Sequence, residues 1–336
     1  MAKKVLFGGV PGMVASDIEK MRQYVLEEAP DAEFHFYGEE VLGKEELLET
    51  AQGAKVLISW DQEMDEETYE KLDLIAYCAA SVGFNAANIK AATKKGVYVI
   101  NVPDYCTDEV AAHTVTLMLC LYRRFYLMVD YIREGNWDLA PTKGIRKFEN
   151  SVVGLVGFGR IPQAVARKLA GFGVKIVAYD PFIDAQKMKE LGAEKVELEE
   201  LLKMSDYISL HSPLLESTKQ MINREAIALM KDGVYIVNTA RGALIDEEAL
   251  YEALQNGKIQ GVGLDVLADE PPTEMGRKII ALKNAIVTGH SSYVSLEASD
   301  EQIRSTAKNV AAFLSGNIPE NTLNRKEILG GIDGQG

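Results

Sequence analysis

Short apolar runs alternate with amphipathic stretches along nearly the whole chain. In the first hundred residues, "KVLFGG", "EFHFYG", "KVLISW", "LDLIAYCAA" and "GVYVINVP" have the length and side-chain types of buried strands. Between them, "SDIEKMRQYVLEEA", "KEELLETAQ" and "DEETYEKL" repeat apolar residues at helical spacing, with Ser16 or Asp17 expected to cap the first of these helices. Strand–helix alternation of this kind predicts βαβ units and a parallel sheet. It restarts at Ser151, where "SVVGLVGFG", "KIVAYD", "YISLHSP", "GVYIVNTA", "IQGVGLDV" and "NAIVTGH" predict six strands joined by crossover helices, a doubly wound unit. The segment from Thr107 to about Trp137 breaks the pattern. It reads as one long helix, acidic at its start and apolar on more than one face through Leu117–Leu121 and Phe125–Val129. Such a helix is buried in a core or at a subunit interface, and a homodimer is the expected partner arrangement. The tail "SLEASDEQIRSTAKNVAAFLSGN" is helical again.

The 336 residues exceed what one core usually holds, so two domains are expected. A net charge of −14 opposes contact with nucleic acid and with anionic membranes. Cys78, Cys106 and Cys120 have neither metal-ligand nor disulfide-framework spacing, which fits a reducing cytoplasm. The start "MAKKVLFGG" reads as a first strand rather than a signal peptide, and no stretch offers about 18 uninterrupted apolar residues for a membrane span.

Candidate chemistry begins at "GLVGFGRIPQ". Gly157 and Gly159 open a glycine-rich turn between a strand and a helix, the context that a dinucleotide pyrophosphate needs. The third glycine of that fingerprint is replaced by Pro162, which a first helical turn tolerates because its N–H groups have no intrahelical partner. Asp180 ends the next strand, 21 residues after Gly159 (180 − 159), where a carboxylate receives the adenosine ribose and repels a 2′-phosphate. NAD is therefore the expected cofactor, in preference to NADP. Three further strand ends carry reactive side chains: Arg241 in "NTARGALID", Glu270 in "GLDVLADEPP" and His290 in "VTGHSS". Carboxyl ends of strands are where open α/β sheets bind ligands. Trp60, in "SWDQ", is open to two readings, a lining residue of a substrate pocket or a core side chain.

The stretches "GLVGFGRI…YDP", "LHSPL", "NTARGALIDEEAL", "GLDVLADEPP" and "TGH" resemble the D-isomer-specific 2-hydroxyacid dehydrogenases, and "NVPDYCTDEVAAHT" resembles the branch that contains the C-terminal-binding-protein corepressors and related bacterial dehydrogenases. The resemblance implies a flavodoxin-like substrate domain, residues 1–102 plus 294–336, and a Rossmann NAD domain, residues 103–293, with the active site in the cleft between these two doubly wound α/β domains. It implies that Arg241 holds the substrate carboxylate and 2-oxo oxygen, that His290 is the acid and base, and that Glu270 pairs with His290. Backbone N–H groups of Val82 and Gly83 would hold the carboxylate. Arg160, Ile161, Thr239 and Ala240 would contact the cofactor, His211 and Pro213 would border its nicotinamide, and Asp265 would sit near the carboxamide. Gly289 stands where the family has a proline before the histidine. Two alternatives accompany the dehydrogenase reading. One is a non-enzymatic NAD(H)-sensing scaffold. The other is a phosphoglycerate- or hydroxypyruvate-type dehydrogenase, of which the former is expected to carry a regulatory domain beyond residue 336.

Overall fold

In the computed structural model, which describes residues 3–330, the apolar runs form two separate parallel sheets. The first stretch of chain runs β1 (Lys3–Gly8), α1 (Ala15–Glu28), β2 (Ala32–Gly38), α2 (Lys44–Thr50), β3 (Ala54–Ser59), α3 (Glu66–Lys71), β4 (Ala76–Ala79), α4 (Ile89–Lys95) and β5 (Tyr98–Ile100). The second runs α5 (Thr107–Arg123), α6 (Phe125–Arg133), β6 (Val152–Val156), α7 (Arg160–Leu169), β7 (Lys175–Tyr179), α8 (Ala185–Glu190), β8 (Glu194–Lys195), α9 (Leu198–Met204), β9 (Tyr207–Leu210), α10 (Arg224–Leu229), β10 (Val234–Asn238), α11 (Glu247–Gln255), β11 (Ile259–Leu264), α12 (Glu274–Ile280) and β12 (Ala285–Val287). The chain then closes with α13 (Leu296–Leu314) and α14 (Arg325–Gly330).

The chain divides into two compact units. One holds the residues through Cys106 and resumes at Ser295, and the other is Thr107–Val294. The crossings fall at 106/107 and 294/295, against expected boundaries of 102/103 and 293/294; residues 1–2 and 331–336 of the expected first domain lie outside the described residues. In the first unit the strand order is β2-β1-β3-β4-β5. Both faces of this sheet are apolar, as a parallel sheet covered by helices requires. Val5, Phe7, Val56 and Ile58 pack with Met21 and Val25 of α1 and with Ile303, Ala307, Val310 and Phe313 of α13. The alternate positions Leu6, Leu57 and Tyr77 face Leu47 of α2, Tyr69 of α3 and Ala91 of α4. Helix α13, remote in sequence, thus completes the core begun by β1.

The second unit has the order β12-β11-β10-β9-β6-β7-β8, seven strands where six are expected. The additional strand, Glu194–Lys195, is two residues long and pairs only at the sheet edge, too short for a hydrophobic period to mark it. Sheet order reverses between β6 and β9, which makes their carboxyl ends the place for a ligand.

Two local expectations need correction. The single helix expected from Thr107 to Trp137 is two helices, because Arg124 adopts a left-handed conformation (φ 48°, ψ 37°) and its guanidinium donates to the carbonyls of Pro141 and Lys143. Helix α5 is a core helix through Ala111, Val115, Met118 and Leu121, whereas no residue of α6 is fully buried, with Tyr126 packed partly against the same core. Helix α1 begins at Ala15, before both expected caps; Val14 occupies the cap position without a side-chain hydrogen bond, and Asp17 lies in the first turn. Among the described residues no helix is long and apolar enough to cross a membrane, and no cluster of three or more His, Cys, Asp or Glu could hold a metal ion.

Candidate active site

The glycine turn is built as its sequence requires. Gly157 sits at φ +95°, a conformation that favours glycine. A Cβ there would lie 3.0 Å from the carbonyl carbon of His211, which follows β9. The two loops at the sheet's switch point are therefore packed backbone to backbone. Gly159 is the residue preceding α7, and no side chain caps that helix end. A Cβ on Gly159 would meet nothing within 4 Å, so the space in front of the helix end is open. Open space, N–H groups of a first turn and the positive end of a ten-residue helix fit a dinucleotide pyrophosphate. Pro162 is buried in the first turn of α7, where no intrahelical hydrogen bond is lost. The Asp180 carboxylate lies at the end of β7 and fastens the turn, accepting the N–H of Phe158 on Oδ2 and that of Phe182 on Oδ1, each at 2.8 Å. Arg160 is exposed and Ile161 half-buried at the start of the helix.

His211 is half-buried, with Nε2 2.9 Å from Ser209 Oγ, and burial pushes its pKa down to about 3, so it is a neutral ring at physiological pH. Pro213 is exposed beyond it. Thr239 and Ala240 follow β10, and the Thr239 hydroxyl is 2.8 Å from that of Thr114 on α5.

Arg241, Glu270 and His290 follow β10, β11 and β12, three adjacent strands of one sheet. Buried Asn238 shapes the arginine turn: its Oδ1 accepts from Ala240 N at 3.0 Å and its Nδ2 donates to Arg241 O at 2.8 Å. The next residue, Gly242, allows the closest backbone approach in the site. A Cβ on Gly242 would stand 1.9 Å from the carbonyl carbon of Leu267, so no other residue fits without moving the loop that leads to Glu270.

Glu270 Oε1 accepts the Leu267 N–H at 3.1 Å, and Oε2 is 2.7 Å from His290 Nδ1. This hydrogen bond is the largest cause raising the His290 pKa above its ordinary value. Burial and the Arg241 charge oppose it, while the charges of Glu270 and Asp265 reinforce it. Tyr293 stands edge-on to the ring of His290, centroids 6.3 Å apart.

Asp265 is 1% exposed. Burial pushes its pKa up, but hydrogen bonds from Ser292, Thr288 and Ser291 outweigh burial and hold it below the ordinary carboxylate range. Sequence reasoning missed four members of this arrangement: Asn238, Gly242, Thr288 and His113, whose Nε2 is 3.1 Å from Thr288 Oγ1. His113 lies in the stretch "DEVAAHT", but nothing local marks it as a partner of a strand end far along the chain.

In the first unit, the turn after β4 carries Val82 and Gly83, both half-buried. Asn101 Nδ2 donates to Val82 O and Ser81 Oγ to Gly83 O, each at 2.7 Å, which fixes the turn through its carbonyls. Trp60 is half-buried and packs against the cluster of Val5, Phe7 and Ile58.

Comparison with known proteins places these features in a lineage. Residues 115–292 match the NAD binding domain of the D-isomer specific 2-hydroxyacid dehydrogenases. A glyoxylate reductase of Pyrococcus furiosus is 36% identical over 304 residues, covering 87% of this chain and 88% of the relative. A D-3-phosphoglycerate dehydrogenase of Methanocaldococcus jannaschii is 38% identical over 290 residues; the match covers 85% of this chain and only 55% of that relative, so the chain spans about half of its length. The crystal structure of D-lactate dehydrogenase from Aquifex aeolicus, complexed with NAD and lactic acid, superposes with a TM-score of 0.83 at 32% identity, covering 97% of this chain and 98% of that one.

Proposed function

Because this chain belongs to the D-isomer specific 2-hydroxyacid dehydrogenase family, we propose that it reduces a small 2-oxo acid to the D-2-hydroxy acid at the expense of NADH, with His290 as proton donor. The observation that carries this reading is the 2.7 Å hydrogen bond between His290 and Glu270, within electrostatic reach of Arg241. Bound NADH supplies the hydride that C2 of the substrate accepts. The remaining chemistry belongs to the side chains. Charge develops on the 2-oxo oxygen as C2 is reduced, and His290 delivers a proton there. Its Nδ1 is engaged by Glu270, so Nε2 is the nitrogen that gives up the proton. In the reverse direction, the neutral ring takes the hydroxyl proton. Arg241 suits a planar 2-oxo acid because its donors form a fixed fork. The amides of Val82 and Gly83 are assigned to the substrate carboxylate.

The glycine turn, the first turn of α7 and Asp180 are assigned to the pyrophosphate and adenosine ribose, with Arg160, Ile161, Thr239 and Ala240 beside them. Neutral His211 and Pro213 are assigned to the nicotinamide border, and Asp265 to the carboxamide. The names of the relatives support an enzyme over a sensing scaffold, and they point to short substrates such as glyoxylate and pyruvate. The test is a panel of 2-oxo acids with NADH, followed at the nicotinamide absorbance. Turnover of short 2-oxo acids is expected; no turnover of any member would overturn the reading.

A further inference from the structure

Asp265 organises the turn that carries His290 from several directions at once. Its backbone carbonyl accepts the His290 N–H at 2.7 Å. Its Oδ1 accepts Ser291 N at 2.9 Å and its Oδ2 accepts Ser292 N at 3.0 Å. The Thr288 hydroxyl lies 2.6 Å from Oδ1. A carboxylate only accepts, so the single hydroxyl proton of Thr288 is committed to Asp265. His113 Nε2, 3.1 Å from the same hydroxyl oxygen, must then be the donor. The geometry places a proton on Nε2 and makes a directed chain: His113 N–H to Thr288 O–H to Asp265. His113 comes from the middle of α5, a helix with five or more side chains in the core, so the far end of the chain is rigidly mounted.

The turn needs such a mount. His290 has φ +51°, in the left-handed region that a residue with a side chain holds only when its surroundings impose it. Gly289 before it contributes no packing, since a Cβ there would meet nothing within 4 Å. The hydrogen bonds to Asp265 share this task with the His290 N–H to Thr288 O at 3.1 Å and the ring contact with Glu270. We propose that His113, acting through Thr288 and Asp265, is a positioning residue that holds the His290 turn, and hence the His290–Glu270 hydrogen bond, in the proton-donating geometry. This rests on the acid role given to His290 above. The charged groups that face His290 are Glu270, Arg241 and Asp265, and His113 in turn faces Asp265 with Nε2 3.7 Å from Oδ1.

The experiment compares Thr288→Val, which keeps the shape and removes the hydroxyl, with Thr288→Ser, which keeps the hydroxyl, and with His113→Ala at the half-exposed end of the chain. Two readouts are taken. One is the titration midpoint of His290 by NMR of the ring-labelled protein without substrate, its signal identified among four histidines by single substitution. The other is the pH dependence of kcat/KM for reduction. Loss of the chain should lower the His290 midpoint by roughly half to one pH unit as the Glu270 bond loosens. It should also reduce kcat by about tenfold or more through misplacement of the proton donor. Thr288→Ser should restore both. Unchanged His290 midpoints in folded Thr288→Val and His113→Ala would overturn the proposal and leave the three residues as packing. If the unaltered protein reduces no 2-oxo acid, the function reading fails, while the NMR titration still decides whether the chain holds His290.

Discussion

His290 Nδ1 lies 2.7 Å from Glu270 Oε2, and the other oxygen of that carboxylate is held at 3.1 Å by the backbone N–H of Leu267. Glu270 is therefore oriented from behind, and its charge favours the protonated ring. A raised His290 pKa keeps the ring protonated at a pH where a free imidazole has mostly lost its proton. Reduction should persist through neutral pH and fall as pH rises through the elevated pKa; oxidation of the hydroxy acid should rise over the same window. Glu270→Gln removes the charge and should move both limbs to lower pH. His290→Ala should flatten the profile and cost about 10²-fold or more. Initial rates against pH in both directions check this, and a Glu270→Gln limb at the unaltered midpoint would refute the pairing.

Gly242→Ala places a methyl group 1.9 Å from the Leu267 carbonyl carbon. The conflict is with backbone, so relief requires one of the two loops that carry Arg241 and Glu270 to move. A destabilisation of roughly 3 kcal/mol is expected, a fall in Tm of about 6–12 °C for a unit of this size. Activity should fall further than stability, because the displaced loops carry Arg241 and Glu270. Thermal unfolding and kcat/KM measured together test this; a Tm within a degree of the unaltered protein would mean that the loops have slack.

Asp180→Asn removes the charge and keeps one of the two oxygens that accept the Phe158 and Phe182 N–H groups. The preference for NADH over NADPH should narrow, chiefly by a gain in NADPH affinity, because a 2′-phosphate no longer meets a carboxylate. Titration calorimetry with both cofactors reads the ratio. An unchanged ratio would assign the choice to another residue.

Helix α6 and the segment after it leave Phe125 60%, Trp137 88% and Leu139 74% exposed, with Ile132 beside them. An apolar surface of this kind is expected to be covered by a second copy of the chain. Light scattering at micromolar concentration should give twice the mass of one chain. Phe125→Asp should shift the equilibrium toward the monomer, and a monomeric mass for the unaltered protein would refute the homodimer.

Much of the architecture was legible because it is local. Strand–helix alternation needs only hydrophobic period and length, and the turn at Gly157 and the strand-end position of Asp180 are set by neighbours in sequence. What escaped was either too short or too distant. Two residues, Glu194 and Lys195, cannot express a period. The break at Arg124 lies between the apolar runs Leu117–Leu121 and Phe125–Val129, and the partners that hold it are the carbonyls of Pro141 and Lys143. The contact that forbids a side chain at Gly242 comes from Leu267, and the partners of Asp265 come from residues 113 and 288. These are facts of the tertiary structure, invisible to any window that spans one element.

The placement of α13 has a consequence for how the molecule is made. The sheet of the first unit lacks part of its cover until Ile303, Ala307, Val310 and Phe313 arrive, and these residues follow the entire second unit in the chain. During synthesis the contiguous unit Thr107–Val294 can complete its core as it leaves the ribosome. The earlier-made sheet must wait, with Val5, Phe7, Val56 and Ile58 covered on that face only by Met21 and Val25 of α1. The sheet made before the second unit is thus finished after it, and its apolar face stays incompletely covered for that interval.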